Sequence, residues 1–197
     1  ARPLLRLAAV LALFNLAVVP AVTVGVPLLV VRYYAFSDTA LAITQSAMSA
    51  GGLLGGVLAG AFAKRLSLRR GTAALWCITA VCALLGLAVL PCVAAGAGYF
   101  AVTSLTFCMM AAAALFQILL FTAIQAHAPT GQTGRFMSLI TVCACLTQPV
   151  GQAALGLLYG RFAALPSAVL FAAAAASIFI NLAASHIFKK AASFSKS

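Results

Sequence analysis

Six long apolar runs separated by short polar breaks organise this chain, at residues 7–31, 41–63, 72–90, 97–124, 136–159 and 167–187. A helix needs about 20 apolar residues to cross the hydrocarbon core, and every run comes close to that length or exceeds it. None alternates with a period of two, so a barrel strand does not fit. A helix is then the spanning structure that keeps its own backbone hydrogen-bonded. Breaker residues mark the separators: Ser37-Asp38, Ser67 with Gly71, Pro91 with Gly96 and Gly98, Pro129 with Gly131 and Gly134, and Pro166. The pattern predicts an all-α membrane protein, a bundle of six transmembrane helices over residues 1–190 with a short tail at 191–197.

Composition agrees. The chain is 65% hydrophobic, too oily for a soluble domain of 197 residues. Charge then orients it. There are 12 Lys and Arg against one acid, Asp38. Arg2, Arg6, Lys64, Arg65, Arg69, Arg70, Arg135, Lys189, Lys190 and Lys196 fall in the tails and the even-numbered loops, while Arg32, Arg161 and Asp38 take the odd-numbered ones. The positive-inside bias predicts that the first group, and both termini with it, lie in the cytoplasm. The cations are not interleaved with aromatics on a soluble face, so no nucleic-acid partner is expected.

The spans contain no acid or cation in their interiors. A titrating carboxylate of the kind proton-driven carriers use is therefore not expected in this chain. Uncharged polar residues occur instead: Asn15, Gln45, Gln117, Gln125, Gln148 and Gln152. Each is costly against lipid, so it faces a neighbouring helix or a wet cavity. Gln148 and Gln152 share a helix face and flank Pro149. Pro20, Pro27 and Pro149 are expected to break their helices and free backbone carbonyls. Gly51/Gly55, Gly52/Gly56 and Gly56/Gly60 are each four apart, a spacing that lets helix backbones approach closely. The last span, with its alanine run at 172–176, reads as peripheral. Six cysteines form no C-x-x-C and no cluster with His127 or His186, so no metal or cofactor is expected.

The segment Gly60-Ala61-Phe62-Ala63-Lys64-Arg65-Leu66-Ser67-Leu68-Arg69-Arg70 resembles the G-x-x-x-D-R-x-G-R-R signature of the major facilitator superfamily. Gly60, Arg65 and Arg69 match it; Lys64 stands for the acid and Ser67 for the second glycine. The stretch Pro129-Thr130-Gly131-Gln132-Thr133-Gly134-Arg135-Phe136-Met137-Ser138-Leu139 looks like the loop before the penultimate helix in the macrolide-efflux and enterobactin-exporter branch. The resemblance implies the C-terminal six-helix half of a twelve-helix secondary transporter of the bacterial inner membrane. Such a protein exports small amphiphilic solutes, drugs or siderophores, by alternating access.

It implies spans one, two, four and five around the cavity, with three and six outside. It also implies an N-terminal six-helix half as partner, on the same or a separate polypeptide. Lys64, Arg65, Arg69, Arg70, Gly134 and Arg135 would then form a cytoplasmic gate with Gly60. The chain carries no cytoplasmic acid, so those cations pair with another segment, with helix carbonyls or with anionic lipid. Two alternatives stay open. One is a self-contained six-span protein working as a homodimer. The other is an intramembrane enzyme, for which no Ser in a G-x-S-G context and no mid-span His is present.

Overall fold

The computed structural model describes residues 2–62, 68–127, 131 and 133–194, with the side chains of 2–7, 68–70, 127 and 186–194 left outside the description. Every run read from hydropathy is a helix. Among the described residues six helices are long and apolar enough to cross a membrane: Ala8–Tyr33, Asp38–Ala61, Gly71–Ala88, Ala95–Ala126, Thr133–Arg161 and Pro166–Ser185. They are called spans one to six below. No strand occurs among the described residues. Span edges differ from the sequence reading by a few residues, because hydropathy does not see the capping turns.

Span one is segmented. It consists of α-helices Arg2–Ala17, Val19–Thr23 and Gly25–Pro27, followed by a π-helical turn at Leu28–Tyr33. Pro20 and Pro27 donate no N–H to the carbonyls of Leu16 and Thr23, which loosens the ladder at both places. Span five behaves differently. Pro149 was expected as a break, yet its helix runs continuously from Thr133 to Arg161. Pro149 still donates no N–H to the Cys145 carbonyl, so the ladder has a gap there although the helical path continues.

The helices pair in an ordered way. Span two packs on four, and span five on one; span three packs on four, and span six on one; spans three and six pack on each other. Exchanging spans one to three for spans four to six maps this set of pairings onto itself. The unit is thus two three-helix repeats. Three spans is an odd number, so one repeat lies inverted in the membrane relative to the other. The repeat is also written in the residues. Gly51, Gly56, Leu58, Gly60 and Phe62 of span two recur as Gly151, Gly156, Leu158, Gly160 and Phe162 of span five, at one constant offset.

Equivalent seams hold the two repeats together. A Cβ added to Gly51 or Gly55 would collide with the carbonyl oxygens of Phe107 or Ala111 on span four. One added to Gly151 would collide with the carbonyl oxygen of Leu16 on span one, the group that Pro20 leaves without its helical donor. Backbones in contact at these seams gain dispersion and Cα–H···O attraction, which is how helices associate when lipid removes the hydrophobic drive.

The apolar core lies among spans one, three, four and six, around Leu11, Phe14, Leu75, Ile78, Leu85, Phe116 and Leu170. Span six was expected at the periphery but is half buried, against span three. Its apolar face packs there, and its few polar groups add a clamp. The Asn181 amide donates to Thr79 Oγ1 (2.6 Å) and to the Leu75 carbonyl (3.2 Å), and Thr79 shares a hydrogen bond of 2.6 Å with Ser177. Spans two and five contrast with it, burying only 17% of their apolar windows.

All four tyrosines gather at the end of the bundle that carries loops one, three and five, called here the tyrosine end. Tyr33 and Tyr34 donate to the carbonyls of Val89 (3.1 Å) and Ala88 (3.0 Å), closing the last turn of span three. Tyr99 donates to Ala40 at 3.1 Å. Rings of Tyr34, Phe36 and Tyr99 stack in series between those bonds. Desolvation, with Tyr33 alongside, pushes the Tyr34 phenol up to about 12, so it remains a donor. Amphipathic rings in this position suit a membrane–water boundary.

Gly51 and Gly52 are neighbours in sequence, yet only the first is covered. Gly51→Leu should lower the thermal stability of the chain in detergent by about 1–3 kcal/mol. Gly52→Leu, with nothing within 4 Å of the added Cβ, should shift it by no more than about 0.5 kcal/mol. Equal losses would refute the seam.

Candidate functional site

The polar span residues divide once they are placed. Asn15 is buried inside the unit, with its amide donating to the Leu11 carbonyl of its own helix at 2.9 Å. It faces no cavity. Gln45, Gln117 and Gln125 are exposed, and Gln148 and Gln152 are half-buried. Among the described residues none of these five amides has a hydrogen-bond partner within the unit. They are left for water, a solute or another chain, because lipid supplies no partner.

Their surroundings are patterned. Going round span two by 100° per residue, the buried stripe of Thr44, Gly51, Gly55 and Ala59 is followed by a sector of small and polar residues. That sector holds Gln45, Ser49, Gly52, Gly56 and Gly60, and a large apolar sector with Ile43, Leu54 and Val57 completes the turn. Span five repeats the order in the same sense. Its buried stripe is Ile140, Gly151, Leu155 and Tyr159. Next come Ser138, Thr141, Cys145, Gln152 and Gly156, with Gln148 at the edge, and then Leu139, Val142, Leu146, Val150 and Leu157. The apolar sectors carry side chains up to 77% exposed and match lipid. The small and polar sectors do not match lipid.

Gly52, Gly56, Gly60, Gly134, Gly156 and Gly160 have no atom within 4 Å of an added Cβ. Gly60 ends span two and Gly134 opens span five, beside the exposed Arg135. Lys64 and Arg65 lie outside the described residues. Arg69 and Arg70 fall in the first turn of the helix Leu68–Ala88, but their side chains lie outside the description too. Gly131 adopts φ +83° in the turn before span five, a conformation that glycine enters at no steric cost. No ion pair forms among the described residues, and no group of His, Cys, Asp or Glu there is arranged to hold a metal.

A cavity of about 420 Å³ opens at the tyrosine end, between the last turns of spans one and five and the start of span six. Leu28, Leu29, Arg32, Tyr33, Tyr159 and Gly160 line much of it. Hydropathy gives no hint of it, since its walls come from segments more than a hundred residues apart.

No protein-family model, no curated protein and no solved structure matches the chain.

The division of the polar residues is open to direct measurement. Gln152→Leu should leave thermal stability within about 0.5 kcal/mol, because the amide has no partner in the unit. Asn181→Leu should cost roughly 1–2 kcal/mol by removing the amide's bonds to Thr79 Oγ1 and the Leu75 carbonyl. A large loss for Gln152→Leu would place that residue among the structural ones.

Proposed function

We propose that the chain is one half of a secondary transporter of the major facilitator type, which exports small amphiphilic solutes by alternating access. The observation that carries this reading is the pair of inverted three-helix repeats, each presenting a small and polar sector that the unit itself leaves uncovered. Inverted repeats are the usual construction of alternating-access carriers, whose cavity lies where the repeats or halves meet.

The two sectors take different parts. Span two offers an open glycine stripe, Gly52, Gly56 and Gly60, against which a helix of the second six-helix unit packs and slides. Span five offers Gln148, Gln152, Thr141 and Ser138 to a wet cavity. Gln45 and Gln117 join them from spans two and four. Amides without charge hydrogen-bond solutes of mixed character and leave them weakly enough held to be released. A phosphate or carboxylate substrate would call for a buried cation, and no described span interior has one. The segmented span one, loosened at Pro20 and Pro27, supplies the hinge beside that cavity.

The unit's cytoplasmic cations, Arg135 and the basic loop after Gly60, latch the second half in this reading. The acids they need come from that half or from anionic lipid. The reading also places the chain in a bacterial inner membrane with both termini inside, and the tyrosine end outside.

Export from intact cells tests it. Cells producing the native gene product should retain less of a neutral or zwitterionic amphiphile, such as a macrolide, than cells without it. Gln152→Ala should slow that export roughly tenfold through the loss of one hydrogen bond in the cavity. Retention unchanged by the protein across a panel of such amphiphiles would contradict the proposal.

A further inference from the structure

The cavity at the tyrosine end has no place in the transport cycle described above, and its chemistry is of another kind. Arg32 is the one charged side chain among its lining residues, and leucine, tyrosine, alanine, glycine and proline supply the rest. The chain's single acid, Asp38, lies six residues away and forms no ion pair with it among the described residues. Three features build the space. The π-helical turn brings Leu28, Leu29, Arg32 and Tyr33 to one wall, held by the Tyr34 N–H donating to the Leu29 carbonyl (2.9 Å) and the Phe36 N–H to the Val30 carbonyl (3.0 Å). Such widened turns are rare and concentrate at functional sites.

Tyr159 forms the floor, fixed by its hydroxyl donating to the Ala21 carbonyl at 3.1 Å. Gly156 and Gly160 form the facing wall, and no atom of the unit occupies the room their missing side chains leave. A glycine inside a helix costs about 1 kcal/mol relative to alanine, and packing within the unit recovers none of it here. At 420 Å³ the cavity falls in the range of small-molecule sites.

We propose that this cavity binds the head and first carbons of an amphiphile with a single anionic group, a carboxylate or a phosphate, with the anion on Arg32. Apolar walls take the chain, the guanidinium takes the charge, and the tyrosine belt sets the depth at the membrane boundary. The same chemistry has two sources, a resident anionic lipid and an amphiphilic acid arriving from water. The proposal stands without the transport reading, because binding is measured on the protein at rest. A plainer account of Arg32 is that it complements the dipole of its helix end. Arg161 is the control, since it also stands in a last turn at the same end yet does not line the cavity.

The test uses the whole chain in phosphatidylcholine nanodiscs, with octanoate binding measured by equilibrium dialysis against empty discs. Saturable binding is expected. Arg32→Gln should weaken it roughly tenfold or more, while Arg161→Gln should change it less than about twofold. Gly160→Leu, which fills the cavity without touching the seams, should abolish binding, with thermal melting confirming that each variant folds. If phosphatidylglycerol in the disc displaces octanoate, the resident ligand is lipid. If it does not, the site selects an acid from water. Absence of saturable binding to the native chain would overturn the proposal. So would equal losses for the two arginine variants, since that would reduce the effect to surface charge.

Discussion

Backbone-to-backbone contact at glycine is the interaction on which the rest of this molecule depends. In lipid the apolar side chains of neighbouring helices gain little by meeting each other rather than the acyl chains, so association rests on close packing. Gly51 and Gly55 let span two lie on the carbonyls of Phe107 and Ala111, and Gly151 lets span five lie on that of Leu16. These seams dock the two outermost helices onto the buried ones. The polar clamp of Thr79, Ser177 and Asn181 joins spans three and six across the pseudo-symmetry axis. With those contacts fixed, the rotation of every span is fixed, and so is the direction in which each uncovered amide faces.

That rotation divides the outer helices into three sectors in a shared order. The buried stripe belongs to the unit and the large apolar sector to lipid. The small and polar sector has no complement within six helices. In the proposed carrier it divides again: the glycine stripe of span two admits a neighbouring helix, while the glutamines of span five face water and solute. A single physical requirement, that unpaired amides avoid hydrocarbon, thus connects helix packing to where the proposed pathway would lie.

The spans were legible because hydrophobic length is a one-dimensional property. The glycine spacing and the loosening at Pro20 and Pro27 could be read in the same way, helix ends only to within a few residues. Direction was harder to read. The sequence spacing showed that Gly51/Gly55 and Gly52/Gly56 each form a stripe, but not that one is covered and the other open. Nor did the spacing show that Asn15 is buried inside the unit, with its amide on its own helix, while the glutamines are left without partners. Pro149 looked like a break, yet the helical path continues through it and only its own hydrogen bond is missing. The sixth span looked peripheral because few polar groups relieve its alanine run, yet Ser177 and Asn181 bond Thr79 and its apolar face is buried within the unit. The internal repeat was present in the letters all along, at Gly51 and Gly151, Gly56 and Gly156, Gly60 and Gly160. The cavity was not legible, since a π turn has no simple composition and its walls meet only in three dimensions.

Two native cysteines can decide whether the polar sector of span five faces water. Cys143 and Cys145 lie at the same depth, both are exposed, and helical geometry puts them on opposite sides. Cys145 stands in the sector of Gln152 and Gly156, and Cys143 beside Val150 and Leu157. Thiols react as thiolates, which form in water and not in hydrocarbon. The measurement is the rate at which each is modified by a small charged methanethiosulfonate in native membranes, read peptide by peptide by mass spectrometry. The account predicts fast modification of Cys145 and slow modification of Cys143. Equal rates, or a faster Cys143, would contradict it.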